Sequence, residues 1–198
     1  TMKVGQILSS DPDLIPPEFV DALSELQRDA PPMTWRTVKQ VIEEALDQPL
    51  EAIFHTFDPE PAGSASIGQV HRAVLRTGEE VAVKVQYPGI VDTLESDLRN
   101  LGSLIHLARV VADRERVEQY MHEVRAALEQ EIDYIAEAGR LARYHGIFES
   151  MPGVRVPRPF LEFTRQNVLV MEFCRGQKLD EALEAMPPGD ERQALLER

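Results

Sequence analysis

The sequence has few of the features that mark several large classes of protein. It contains a single cysteine, Cys174, in 198 residues, which excludes an intrachain disulfide and a cysteine-rich zinc site. It shows no signal-peptide pattern, and no apolar run reaches the ~18 residues that a membrane-spanning helix needs. We therefore expect a reducing compartment and a cytoplasmic protein, which could still lie peripherally on a membrane surface.

Positive charge is also scarce. The chain has 21 Lys+Arg against 34 Asp+Glu, a formal net charge of −13. This balance argues against nucleic-acid binding, which needs a basic surface, and the acidic excess favours solubility. Hydrophobic residues make up 43% and charged residues 28%, as in ordinary globular domains. The four lysines are Lys3, Lys39, Lys84 and Lys178, and their scarcity makes each one informative.

The apolar pattern predicts helices, a hairpin, two helices and a second hairpin. In chain order, the predicted elements are a helical region (1–58), two strands (69–76 and 80–86), two helices (91–112 and 114–147) and two further strands (156–163 and 167–173). Thr34 or Thr37 can cap a helix in the first region, and Pro49 can start a short one carrying Ile53 and Phe54. This order predicts an α+β fold, a four-stranded antiparallel sheet with helices packed on it.

Small residues dominate the segment just before the first predicted hairpin, where positions 62–66 are Ala, Gly, Ser, Ala and Ser. Small side chains allow a backbone to approach a ligand closely, and successive N–H groups can hold phosphate oxygens. A plain turn before a strand has the same composition. The segment by itself therefore indicates either a phosphate contact or a turn.

Lys84 stands in the middle of an apolar strand. Valine occupies positions 81, 83 and 85, so the lysine projects from the opposite face. Burying a lysine is costly unless an anion neutralises it, and the alternative is a half-exposed strand whose lysine reaches solvent. A small-residue loop, a turn and an apolar strand with a central lysine follow one another in the order of a protein-kinase N-lobe.

Carboxylates are concentrated on the second long predicted helix. Asp133 and Glu137 are four residues apart and share a face, whereas Glu131 and Asp133 are about 200° apart around the axis. One carboxylate could therefore meet the strand lysine while another meets a different partner. A solvated acidic face is the alternative.

The apolar strand at 168–173 ends in polar residues and Gly176. Such an ending is typical of the connector between two kinase lobes, where backbone groups bind adenine. The edge of an ordinary core strand has the same pattern, and the residues alone do not separate the two interpretations.

Taken together, four segments resemble the UbiB family of atypical protein-kinase-like proteins, also called the ABC1 or ADCK group. Residues 3–6 match the KxGQ motif, and residues 65–71 match the alanine-rich loop that replaces the glycine-rich loop of ordinary kinases. Residues 83–89 match the strand lysine and its trailing segment. Residues 131–138 match the ExD motif and the helix glutamate that follows it. The resemblance covers essentially the whole chain.

The resemblance implies roles for individual residues. Lys84 would contact nucleotide phosphates and pair with Glu137, while Glu131 and Asp133 would face the phosphates or a helical extension folded over the active site. That extension would carry Lys3 and Gln6 close to Glu131 and Asp133. Nucleotide-binding residues would come from the loop, the strands, the gatekeeper and the hinge: Ala65, Ser66, Ile67, Gly68, Val70, Lys84, Met171, Glu172 and Phe173. No residue is assigned as a metal ligand.

The resemblance also implies a division into a KxGQ extension (1–58), a kinase-like N-lobe (59–176) and the start of a C-lobe (177–198). The family loop usually has Ala-Ala-Ala-Ser, where this chain has Gly-Ser-Ala-Ser at 63–66. The sequence contains no catalytic-loop aspartate with its metal-binding asparagine and no Asp-Phe-Gly. We therefore expect a piece of a longer protein that is inactive by itself.

The longer protein would bind ATP with Mg²⁺ and act as an atypical kinase or ATPase supporting prenyl-quinone biosynthesis of the ubiquinone type. Its expected partners are the nucleotide and prenyl-lipid intermediates or a membrane surface. The alternative function is a nucleotide-regulated pseudokinase module that binds lipid or a partner protein without phosphoryl transfer.

Overall fold

Two helices open the described part of the chain, which in this computed structural model comprises residues 32–65, 67–107, 122, 125–177 and 181–183. Helix α1 (Trp35–Leu46) is capped by Thr34, whose hydroxyl accepts a hydrogen bond from the Thr37 N–H at 3.3 Å. Helix α2 (Leu50–Ile53) follows directly after Pro49. The first predicted helix and its threonine cap are confirmed, and the predicted short helix forms but ends at Ile53 and does not include Phe54.

The prediction that residues 1–58 are helical throughout is wrong at its last positions. Strand β1 (Phe54–Phe57) replaces the expected helical continuation and pairs antiparallel with a later strand. The aromatic and threonine side chains of β1 favour extended backbone, and Phe54 is buried with its ring edge-on to Phe57 at 5.2 Å.

Within the described part of the chain the sheet has five strands, one more than predicted. The other four are β2 (Gly63–Ala65), β3 (Gly68–Leu75), β4 (Glu80–Gln86) and β5 (Val168–Glu172). The order is β1-β3-β4-β5, with β2 also paired to β3, and every pairing is antiparallel. The first predicted hairpin is confirmed, and its turn contains Gly78 at φ 102°, a conformation that favours glycine.

The strand predicted over 156–163 does not form. This segment makes a single bridge, between Pro159 and Met171, and then a 3-10 helix at Leu161–Phe163. Pro157 and Pro159 lack the N–H groups that a continuous ladder requires. The second predicted hairpin therefore has only one regular strand, β5.

The two predicted long helices, over 91–112 and 114–147, lie partly outside the described residues, at 108–121 and 123–124. Helix α3 spans Ile90–Leu107. The second helix, predicted as continuous over 114–147, is interrupted: residues 125–132 are helical, Asp133 is extended at φ −95° and ψ 90°, and helix α4 spans Tyr134–Phe148. No described helix is both long enough and apolar enough to cross a bilayer.

The two faces of the sheet differ in what covers them. On one face the valines of β4 and β5 are fully buried and pack against α1: Val81, Val83, Val85, Val168 and Val170. Trp35 and Phe54 belong to the same core, so residues 35–57 share a hydrophobic core with the sheet. Lys84 projects from the opposite face, as the alternation predicted.

Gly68 begins β3 at a point where two backbones approach closely. It pairs with Gln86, and a Cβ added to it would lie 2.1 Å from the carbonyl oxygen of Val85. Such a contact is impossible without movement of β4, so strand packing by itself requires glycine at this position.

We expect Gly68→Ala to lower the free energy of unfolding by about 1–3 kcal/mol, because the β4 backbone must shift to admit the methyl group. Gly63→Ala is the matched control, since an added Cβ there meets no atom within 4 Å, and its effect should stay within about 0.5 kcal/mol. Urea unfolding followed by circular dichroism measures both. Equal stabilities of the two variants would contradict the packing argument.

Candidate functional site

Lys84 and Glu137 form an ion pair at the centre of the site. The Lys84 ammonium lies 2.9 Å from Oε1 and 2.8 Å from Oε2 of Glu137. The two side chains are 15% and 32% exposed, so the pair is partly withdrawn from water and its attraction is stronger than that of a surface pair. The predicted pairing of the strand lysine with the helix glutamate is confirmed.

Glu137 reaches the lysine because α4 begins at a defined point. The Asp133 carboxylate caps the helix by accepting a hydrogen bond from the Ala136 N–H at 2.9 Å, and the Asp133 carbonyl accepts one from the Glu137 N–H at 2.9 Å. Glu137 therefore lies in the first turn of α4 and faces the sheet.

This arrangement corrects the expected geometry of the carboxylates. Asp133 and Glu137 do not share the face of one continuous helix, because the chain leaves helical geometry at Asp133. The Asp133 side chain is engaged by the helix N-terminus, as is common for aspartate at this position. The half-buried Glu131 belongs to the helical residues that precede the interruption.

Gln86 fastens the start of α4 to the sheet, a function that the sequence reasoning did not identify. Its side-chain amide donates to the carbonyl oxygens of Ile132 at 2.6 Å and Gln166 at 3.3 Å. The Tyr134 N–H also donates to Gln166, at 3.3 Å. The alternation of side chains along β4 could have identified Gln86, because it places this residue on the same face as Lys84 and next to it.

Apolar side chains from three strands lie beside the lysine on its face of the sheet, which also carries Arg72 and Gln86. Val70 and Leu169 are the cross-strand partners of Lys84. Ala82, two residues earlier on β4, is paired with Met171 of β5. Val70, Ala82 and Met171 therefore lie on one face beside the ammonium group. Ala82 was not predicted as a site residue, although the alternation with valine placed it there.

The residues predicted to form the nucleotide-binding loop have different environments. Ala65 and Gly68 pair across the tight β2–β3 turn. The Ile67 side chain is 1% exposed and packs against Tyr134, Ala138 and Leu169, so it stabilises the contact between the loop and α4. Only the backbone of Ile67 remains as a possible ligand contact, and its carbonyl accepts from the Tyr87 N–H at 3.0 Å.

The predicted hinge residues also face in different directions. Met171 lies on the lysine's face, whereas the Glu172 side chain is on the other face and pairs with Arg155. The hydrogen bond from Arg155 holds the pKa of Glu172 below its usual value. The Phe173 N–H donates to the Glu80 carbonyl at 3.1 Å, and the Arg72 guanidinium lies 5.2 Å from the Phe173 ring centroid.

Three predicted site residues, Lys3, Gln6 and Ser66, lie outside the described residues. The docking of Lys3 and Gln6 near Glu131 and Asp133 stays a prediction. Among the residues that the structure describes, no group of three or more His, Cys, Asp or Glu side chains could hold a metal ion.

Comparison with known proteins places this site in a family context. Residues 25–197 match the family model described as the ABC1 atypical kinase-like domain. The chain is 40% identical over 185 residues to an Arabidopsis thaliana protein named ACTIVITY OF BC1 COMPLEX KINASE 8, chloroplastic, covering 90% of this chain and 24% of that protein. It is 33% identical over 192 residues to the Dictyostelium discoideum protein named Probable serine/threonine-protein kinase abkA, covering 90% and 34%.

A solved structure of Rv3197 from Mycobacterium tuberculosis in complex with erythromycin is similar throughout the fold. Its TM-score is 0.69 at 31% sequence identity, over 92% of this chain and 46% of that chain. The chain thus spans only about a quarter to a third of the two curated relatives.

The cap assigned to Asp133 can be tested by substitution. We expect Asp133→Ala to cost about 1 kcal/mol, because the helix loses the acceptor for its first-turn N–H group. This cost corresponds to a fall in Tm of about 2–4 °C. Asp133→Ser keeps an oxygen at the cap and should lose much less. Thermal unfolding measures both variants, and equal losses would show that the carboxylate has a function other than capping.

Proposed function

Because the chain belongs to the ABC1 family of atypical kinase-like proteins, we propose that it forms the nucleotide-binding N-lobe of an atypical kinase or ATPase. We further propose ATP with Mg²⁺ as the nucleotide and prenyl-quinone biosynthesis as the process that the whole protein supports. The proposals of ATP with Mg²⁺ and of prenyl-quinone biosynthesis rest on the resemblance of the motifs. The proposal of a nucleotide-binding N-lobe also has support from the arrangement of the described residues.

The observation that carries the nucleotide proposal is the Lys84–Glu137 pair. An ammonium group has three N–H donors, and the carboxylate that holds it also lowers the cost of its partial burial. A donor not directed at Glu137 can reach a phosphate oxygen without moving the lysine. The β2–β3 turn comes next to the same part of β4, since Gly68 pairs with Gln86.

The apolar residues beside the pair suit the other end of a nucleotide. Val70, Ala82 and Met171 contribute apolar side chains from three adjacent strands, and an adenine ring could lie against them. Met171 and Phe173 mark the end of β5, where main-chain groups could bind the edge of the base. The charged and apolar parts of the surface thus follow the order of the parts of ATP.

Phosphoryl transfer depends mainly on positioning and electrostatic stabilisation. In this proposal the described residues bind and orient the nucleotide: Lys84 holds the phosphates, Glu137 holds Lys84, and Gln86 and Asp133 hold the helix that carries Glu137. Mg²⁺ would neutralise phosphate charge when bound, and the described residues provide no cluster of ligands for it. The whole protein would need metal ligands and a catalytic carboxylate from other residues.

We expect Lys84→Met to weaken ATP binding by about 10- to 100-fold, the loss of a hydrogen bond to a charged group. Lys39→Met is the matched control. Lys39 also forms an ion pair, with Glu51 at 2.5 Å, but it belongs to α1, which packs on the other face of the sheet. Calorimetric titration with ATP, with and without Mg²⁺, measures both. Equal affinities of the two variants would contradict the proposal.

The 198-residue chain should bind nucleotide without turning it over. Its sequence has no catalytic-loop aspartate and no Asp-Phe-Gly, the groups that hold metal and substrate in kinases. A coupled assay for ADP release measures ATPase activity. Sustained turnover that Lys84→Met abolishes would show that the chain holds a complete active site.

A further inference from the structure

We propose that Tyr134 is a second positioning residue of Lys84 beside Glu137, and that it acts through the face of its ring and not through its hydroxyl. The proposal rests on the proposed function, because it concerns the lysine that would bind the nucleotide phosphates. The observation behind it is a contact that the pairing with Glu137 does not explain. The Lys84 nitrogen lies 4.5 Å from the centroid of the Tyr134 ring.

The ring is held firmly by its surroundings. Tyr134 is fully buried and belongs to a small core with Ile67, Ala138 and Leu169. Leu169 is the cross-strand neighbour of Lys84 on β5. The main chain of Tyr134 is fixed as well, through its N–H bond to Gln166. The ring therefore provides a fixed surface against which the flexible lysine side chain packs.

A neutral ring suits this position better than a second carboxylate would. The negative face of an aromatic ring attracts a cation, and it leaves the lysine and Glu137 as a pair of zero net charge. A second carboxylate would give the site a net negative charge and repel phosphate. The ring thus restricts the ammonium group without competing for the phosphates.

The hydroxyl of Tyr134 does not explain why a tyrosine occupies this position. It is buried and makes no hydrogen bond to any described residue. Burial raises the pKa of this hydroxyl, and the charges of Glu137 and Glu131 raise it further, so it stays protonated and cannot act as a base at neutral pH. A buried hydroxyl without a partner is a cost to stability. Phenylalanine should therefore replace tyrosine here without loss of function.

The first test follows the lysine itself and needs no nucleotide. The chain has four lysines, so a carbon–proton correlation spectrum of lysine-labelled protein gives few signals, and Lys84→Arg identifies the one from Lys84. A proton above an aromatic ring is shifted upfield. We expect this shift in the parent and in Tyr134→Phe and its loss in Tyr134→Leu, while the Lys39 signal stays unchanged. An unshifted Lys84 signal in the parent would overturn the proposal.

The second test measures ATP affinity in the same proteins. Tyr134→Phe should bind within about twofold of the parent, and Tyr134→Leu about tenfold more weakly, as expected for a partly buried cation–ring contact. Pentafluorophenylalanine at position 134 keeps the ring volume but removes its negative face, so it guards against a leucine variant that fails to fold. It should bind as weakly as leucine, and binding equal to that of phenylalanine would overturn the proposal.

The two proposals can fail separately. If the parent binds no ATP, the nucleotide proposal is wrong, and the lysine spectrum still decides whether the ring positions Lys84. If ATP binds and Lys84→Met weakens it but Tyr134→Leu does not, the nucleotide proposal stands and the ring proposal is wrong.

Discussion

The positive charge of Lys84, held in a largely buried position on the sheet, is the constraint on which the rest of the site depends. A lysine at 15% exposure loses much of its hydration, and the protein must replace that hydration with other contacts. The carboxylate of Glu137 and the ring of Tyr134 do so from the same turn of α4. The position of α4 relative to the sheet is therefore part of the site.

The start of α4 is fixed by polar contacts that the lysine pair requires. The preceding helical segment ends before Asp133, whose carboxylate caps α4. The Gln86 amide donates to the Ile132 carbonyl and so links this segment to the sheet. A helix continuous through Asp133 would lack these anchors and would present its carboxylates at other angles. The interruption of the helix thus positions Glu137 for the ion pair. Strand β4 provides both Lys84 and Gln86, and Gln86 anchors the helix that carries Glu137.

The opposite face of the sheet supplies the hydrophobic stabilisation that this polar arrangement lacks. There, α1 and the valines of β4 and β5 form a closed core, so hydrophobic burial on that side stabilises the strands. The face with Lys84 is then available for a ligand. Membership of the ABC1 family of atypical kinase-like domains agrees with the proposed division between a structural face and a nucleotide-binding face.

The sequence by itself determined the β3–β4 hairpin, the face of Lys84 and its pairing with Glu137, the last through the resemblance of the motifs. Alternation and a glycine turn are local properties, which neighbouring residues specify. Tertiary structure alone decided that Phe54–Phe57 is a strand, that Ile67 points into the core and that the helix breaks at Asp133. Each of these depends on a partner distant in the chain: the edge of β3, the side of α4, and the amide of Gln86 that holds Ile132.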